Sequence, residues 1–172
     1  ELQSVAKLTL SALKGKIVGR NTGDGVKYFM QKGEIQSQKH TGNLEIESFG
    51  GKVLVSEGQG PLKIKLFSGD LVLEKNSAAL TLESYSSSAK ITDQQGNVSL
   101  QWGKGSLVMS EFAGRLEGTS ADGQLKLQVK PESLIDLQAT RGTVNVSLPA
   151  SSGASLNLRS ASGDLSLPSS IK

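Results

Sequence analysis

Every ninth residue from Leu8 to Leu125 is aliphatic: Leu8, Ile17, Val26, Ile35, Leu44, Val53, Leu62, Leu71, Leu80, Ala89, Val98, Leu107, Leu116 and Leu125. Two residues further on, the chain is again mostly apolar, as at Ile46, Val55, Ile64, Leu73, Leu82, Ile91, Leu100, Met109 and Leu127, with misses at Gly19, Ser37 and Gly118. The residue between the two is mostly polar, for example Glu45, Lys63, Thr81, Lys90 and Lys126. Successive side chains of a strand point to opposite sides, so this alternation predicts short strands with one buried and one wet face. Glycine keeps the same period two residues ahead, starting at Gly33 and recurring at Gly42, Gly51, Gly60, Gly69, Gly96, Gly105, Gly114 and Gly123, with the small residues Ala78 and Ser87 in the gaps of that run, and Gly15 lies on the same register. The register slips by one near Pro131–Glu132 and resumes at Ile135 and Leu137. It slips by three across Pro149–Gly153 and resumes at Leu156 and Leu158.

A unit this short buries two or three side chains and cannot offset its own ordering entropy of about 1–2 kcal/mol per residue, so the repeats must stack on one another. Parallel stacking sets each apolar residue on its equivalent one coil away, and a glycine at the register point suits a tight corner. A second period decides the coil. Phe49, Phe67 and Tyr85 recur every eighteen residues, while the same turn position in the alternate repeats holds Gly58, Asn76 and Gln94. Two alternating turn types predict an all-β parallel β-helix, or β-solenoid, of nine-residue repeats with two strands per coil of about 18 residues. A three-sided coil of about 27 residues and an antiparallel sandwich or barrel are the competing arrangements. Residues 1–32 are expected to form irregular N-terminal coils and a cap, residues 33–167 the regular solenoid in a single domain with them, and residues 168–172 a C-terminal tail with Pro168 where a further strand would begin.

Composition narrows the function classes. The 172 residues include 20 glycines and no cysteine, which removes disulfide frameworks and thiolate metal sites and leaves the redox compartment open. The formal charge of +3 is spread with both signs interspersed, which argues against a nucleic-acid face. No apolar run approaches the ~18 residues of a membrane span. The chain opens at Glu1 without a signal-like segment and is expected to be a mature or trimmed product.

The candidates for chemistry are few. His40, the sole histidine, is expected as a solvated turn residue in Gln38–Thr41, with nothing to place a nucleophile or carboxylate beside it. Asp24, in the turn Thr22-Gly23-Asp24-Gly25, is the nearest approach to a calcium loop and is expected to serve the turn instead; Asp70 and Asp164 are expected to bond turn amides or face solvent. The short turns leave no cleft for a polysaccharide-cleaving β-helix. No catalytic, cofactor or metal site is expected, so the chain is expected not to be an enzyme. The possible ligand-face residues are Lys63, Lys65 and Lys126, which with Lys130 project from outer strand faces and could form a basic stripe, and Trp102, for which core packing is the competing role.

The segments Ser68-Gly69-Asp70-Leu71-Val72-Leu73, Ser160-Ala161-Ser162-Gly163-Asp164-Leu165-Ser166-Leu167 and Thr41-Gly42-Asn43-Leu44-Glu45-Ile46 resemble the recurring units of the DUF4097 family of adhesin-like bacterial β-solenoid domains. The resemblance runs from about Gly33 to Leu167 and specifies coil geometry rather than a site. It implies a bacterial cell-envelope protein, periplasmic or extracellular, with a non-enzymatic adhesin-like binding or structural role. The expected partners are a glycan, an envelope component or a protein, with no nucleic acid and no transmembrane segment. A bactofilin-like scaffold polymerising end to end is the alternative, and a polysaccharide-active enzyme the second alternative. The capped look of both ends favours a monomer over a filament.

Overall fold

The computed structural model describes residues 7–149 and 153–167, and these form a stack of parallel strands without a helix. The strands are β1 (Leu8–Arg20), β2 (Val26–Gln38), β3 (Leu44–Ser48), β4 (Gly51–Gly58), β5 (Leu62–Asn76), β6 (Leu80–Gln94), β7 (Val98–Phe112), β8 (Arg115–Val129), β9 (Leu134–Ser147), β10 (Ser155–Ser160) and β11 (Asp164–Ser166). Each long strand makes one coil, two arms joined at a corner, and pairs along both arms with the coil before and after it; β3 with β4, and β10 with β11, are coils divided at the corner. Leu62 of β5 pairs with Leu80 of β6, and Leu71 with Ala89, a displacement of eighteen residues. The coil is therefore two-armed, and the three-sided and antiparallel arrangements are set aside.

The core is a set of aliphatic ladders. Leu44, Leu62, Leu80, Val98, Leu116 and Ile135 form one ladder of the first arm, and Val53, Leu71, Ala89, Leu107, Leu125 and Val144 face them from the second; all are buried. Both slips of register that the sequence places are present, Leu116 pairing with Ile135 and Ile135 with Leu156, and a further irregularity lies between Met109 and Phe112, where β7 meets β8.

Two stacking contacts account for the glycine period. At the corner, Gly51 has φ +106° and a Cβ there would run into the Gly33 carbonyl of the previous coil, so both conformation and space require glycine. At the other turn, Gly60 has an ordinary φ, yet a Cβ would strike the Gly42 carbonyl. One period thus serves two different geometries.

The segment before residue 33 is more regular than its sequence suggests. β1 and β2 pair from Leu8↔Val26 to Arg20↔Gln38 in the register of the remaining coils. The apolar misses at Gly19 and Ser37 have a packing reason: the fully buried Tyr28 reaches across from the first arm, and a Cβ on Gly19 would collide with its hydroxyl. Burial pushes the Tyr28 phenol above its ordinary pKa. Of the expected N-terminal coils and cap at residues 1–32, residues 1–6 lie outside the described residues, as does the tail at residues 168–172.

Candidate binding edge

The four expected ligand-face residues do not come together. Trp102 is buried at 2 % exposure in the ladder Ser84–Trp102–Ser120, where two small neighbours leave room for the indole. A Cβ on Gly123 would collide with Trp102 Cδ1, so that glycine too yields space to the ring. The indole Nε1 donates to the Gly105 carbonyl at 3.4 Å, and Trp102 is a core residue rather than a surface platform. Lys63 and Lys65 project from the first arm and Lys126 from the second, which separates them. Nor is the first arm basic: Lys27 lies 3.3 Å from Glu45, Lys65 lies 3.0 Å from Glu83, and the signs alternate from coil to coil. Glu83 raises the pKa of the Lys65 ammonium. Lys130 is engaged at the far turn, 3.3 Å from Asp93 and 3.8 Å from Glu111.

His40 is not a solvated turn residue. It is fully buried inside the second turn, and its Nε2 donates to the Gly60 carbonyl at 3.1 Å, which leaves Nδ1 as an acceptor without a partner among the described residues. Burial holds its pKa below the usual histidine value. Asn76 and Gln94 occupy the same turn interior in later coils; Asn76 Nδ2 donates to Gln94 Oε1 at 2.8 Å and Gln94 Nε2 donates to the Ala78 carbonyl at 2.8 Å. This column closes the turn. Asp24 accepts from the amide of Gly25 in its own turn at 2.9 Å and from the amide of Asn43 on the next coil at 2.8 Å, and Asp70 and Asp164 face solvent.

What the structure does assemble is an aromatic edge along the glycine corner. Phe49, Phe67 and Tyr85 occupy successive coils two residues before Gly51, Gly69 and Ser87, and are 42, 45 and 73 % exposed. Phe49 and Phe67 stack face to face, centroids 4.2 Å apart and planes 3° from parallel. Phe29, on the outer side of the first arm, meets Phe49 edge-on at 5.7 Å. The next corner position is Gly103, where a Cβ would collide with the Tyr85 carbonyl, so the ladder stops. Beside its last rungs lies an open groove of about 220 Å3, lined by Lys65, Leu66, Phe67, Glu83, Ser84, Tyr85 and Gln101. A second apolar strip on the outer second arm, exposed at Val18 and Val108 and half-buried at Leu54 and Val72, is interrupted by Gln36 and Lys90. The eighteen-residue aromatic period was visible in the sequence as evidence for the coil. Its meaning as a surface needed the coil closed, because a corner residue has no in-or-out alternation to place it.

No helix among the described residues is long and apolar enough to cross a membrane. No curated protein and no solved structure matches the chain. The Toastrack DUF4097 family matches residues 35–172, all but the first coils of the stack, and the β-solenoid described here belongs to that family.

Proposed function

We propose that the chain is a non-enzymatic module of the bacterial cell envelope or secreted fraction that binds an envelope component along its aromatic edge. The observation that carries this reading is the placement of the aromatic residues. The chain has four phenylalanines, two tyrosines and one tryptophan. Tyr28, Trp102 and Phe112 are buried, and the others, Phe29, Phe49, Phe67 and Tyr85, share one edge. Leaving a large side chain in water forgoes about 1.5–3 kcal/mol of burial, and such residues gathered in one patch mark an interaction surface more than scattered ones do. The non-enzymatic reading is supported by the setting of the sole histidine, enclosed in a turn, and by a surface of shallow open grooves. Envelope location rests on the resemblance to adhesin-like domains.

The test is cosedimentation of the purified chain with peptidoglycan sacculi, beside a variant carrying Phe49→Ser, Phe67→Ser and Tyr85→Ser whose fold is checked by circular dichroism. The chain is expected to sediment with the sacculi and the folded variant to stay in solution. Equal sedimentation of both would move the binding surface elsewhere, and sedimentation of neither would remove the reading.

A further inference from the structure

Resting on that reading, we propose that the groove beside Tyr85 is a subsite for one uncharged pyranose ring of an envelope polysaccharide. Phe49 covers one face of Phe67, but Tyr85 does not continue the stack and is the most exposed ring of the edge. One coil further on, backbone contact between Gly103 and Tyr85 forbids any side chain. The edge therefore ends in a ring with uncovered surface, and the groove beside it is lined on this side by Leu66, Phe67 and Tyr85.

The groove's other wall is polar. Lys65 and Glu83 lie 3.0 Å apart and neutralise one another, and Gln101 follows on the next coil with both a donor and an acceptor. A pyranose has C–H faces that pack on an aromatic ring and a rim of hydroxyls that both give and take hydrogen bonds. Carboxylate, ammonium and amide together satisfy such a rim. A phosphate or carboxylated sugar would meet a site without net charge, and an aromatic protein side chain would cover the ring while offering no hydrogen bond to Gln101. At about 220 Å3 the groove is smaller than the ~300–1,000 Å3 of sites for drug-sized molecules, which fits one ring rather than several.

The experiment is a titration of the full chain with chitohexaose and with cellohexaose, read by calorimetry and by saturation transfer from aromatic protons to sugar C–H protons. Binding is expected for at least one of them, with little dependence on salt. Tyr85→Ala is expected to weaken it about tenfold, Tyr85→Trp to retain it, Tyr85→Leu to behave as Ala, and Val108→Ala, on the outer second arm away from the edge, to leave it unchanged. Because Tyr85 is exposed, its variants are expected to melt with the parent. If the chain sediments with sacculi but neither oligosaccharide binds, or if binding survives Tyr85→Ala, the pyranose subsite is overturned while the edge reading stands. Binding to free stem peptides in place of the sugars would overturn it in favour of a peptide ligand. Failure of both sacculi and oligosaccharides removes the two together.

Discussion

The two ends of each coil solve the same closure problem in opposite ways. At the glycine corner the backbone turns tightly enough that Gly51 and Gly69 approach the previous coil; the column inside it alternates small serines, Ser48 and Ser120 among them, with Met30, Leu66 and Trp102, and Phe49, Phe67 and Tyr85 lie outside. At the opposite turn a residue other than glycine takes the left-handed conformation in successive coils, at Lys39, Glu57, Lys75, Asp93 and Glu111, and polar side chains point inward. The wider turn buries carbonyls such as those of Ala78 and Gln95, and Asn76 and Gln94 supply the donors they need. A corner closed by backbone contact frees its side chains for an external task, whereas a turn closed by side chains spends them on structure.

The largest effect expected from disturbing this contrast is at the corner. Gly51→Val places a branched side chain at φ +106° against the Gly33 carbonyl, and a loss of more than about 3 kcal/mol, or failure to fold, is expected in urea titration. A variant melting within a degree of the parent would mean the corner is not closed by backbone contact.

Next comes the turn column. Gln94→Ala removes the donor to the Ala78 and Gln95 carbonyls and the acceptor for Asn76 Nδ2, and is expected to cost about 2 kcal/mol by the same titration. An unchanged midpoint would show that the column is incidental to closing the turn.

A smaller, pH-dependent effect follows from His40. Its folded-state pKa is lowered by burial, so as the pH falls the unfolded chain takes up the proton first. The stability contributed by neutral His40 is present above the unfolded value of about 6.5 and is lost as the pH drops below it. Melting temperature is expected to fall between about pH 7 and pH 5, and His40→Phe to remove that slope. Glu34, held low chiefly by Lys16, and Asp93, held low chiefly by Gln95 and then Lys130, have depressed folded pKa values; their contributions are retained above the usual carboxylate range and lost only at more acidic pH. A slope unaffected by His40→Phe would assign the dependence to other groups.

The smallest effect is expected outside the corner. Phe67→Ala removes the stack on Phe49 and should cost about 1 kcal/mol, while Tyr85→Ala, with no stacked partner, should stay within about 0.5 kcal/mol of the parent by thermal melting. Equal losses at the two positions would make the aromatic edge a structural ladder throughout.

The legibility of the chain follows the same division. Within the arms, Leu71 and Leu73 point in and Val72 out because a strand alternates, and that alternation reads directly from sequence. Trp102 lies two residues beyond Leu100 and shares its inward phase, so its burial was within reach of the pattern, whereas the space made by Ser84, Ser120 and Gly123 was not. His40 and Asn76 belong to turns, where alternation lapses and the path of the backbone sets the direction of each side chain.

By itself the sequence determined the repeat, the two-armed coil, the parallel ladders and the places where the register slips, because stacking of identical units turns a period along the chain into a period in space. Only the tertiary structure decided which turn encloses His40, Asn76 and Gln94 and which edge presents Phe49, Phe67 and Tyr85. Those outcomes depend on how closely neighbouring coils approach at their corners, a distance that no residue sets alone.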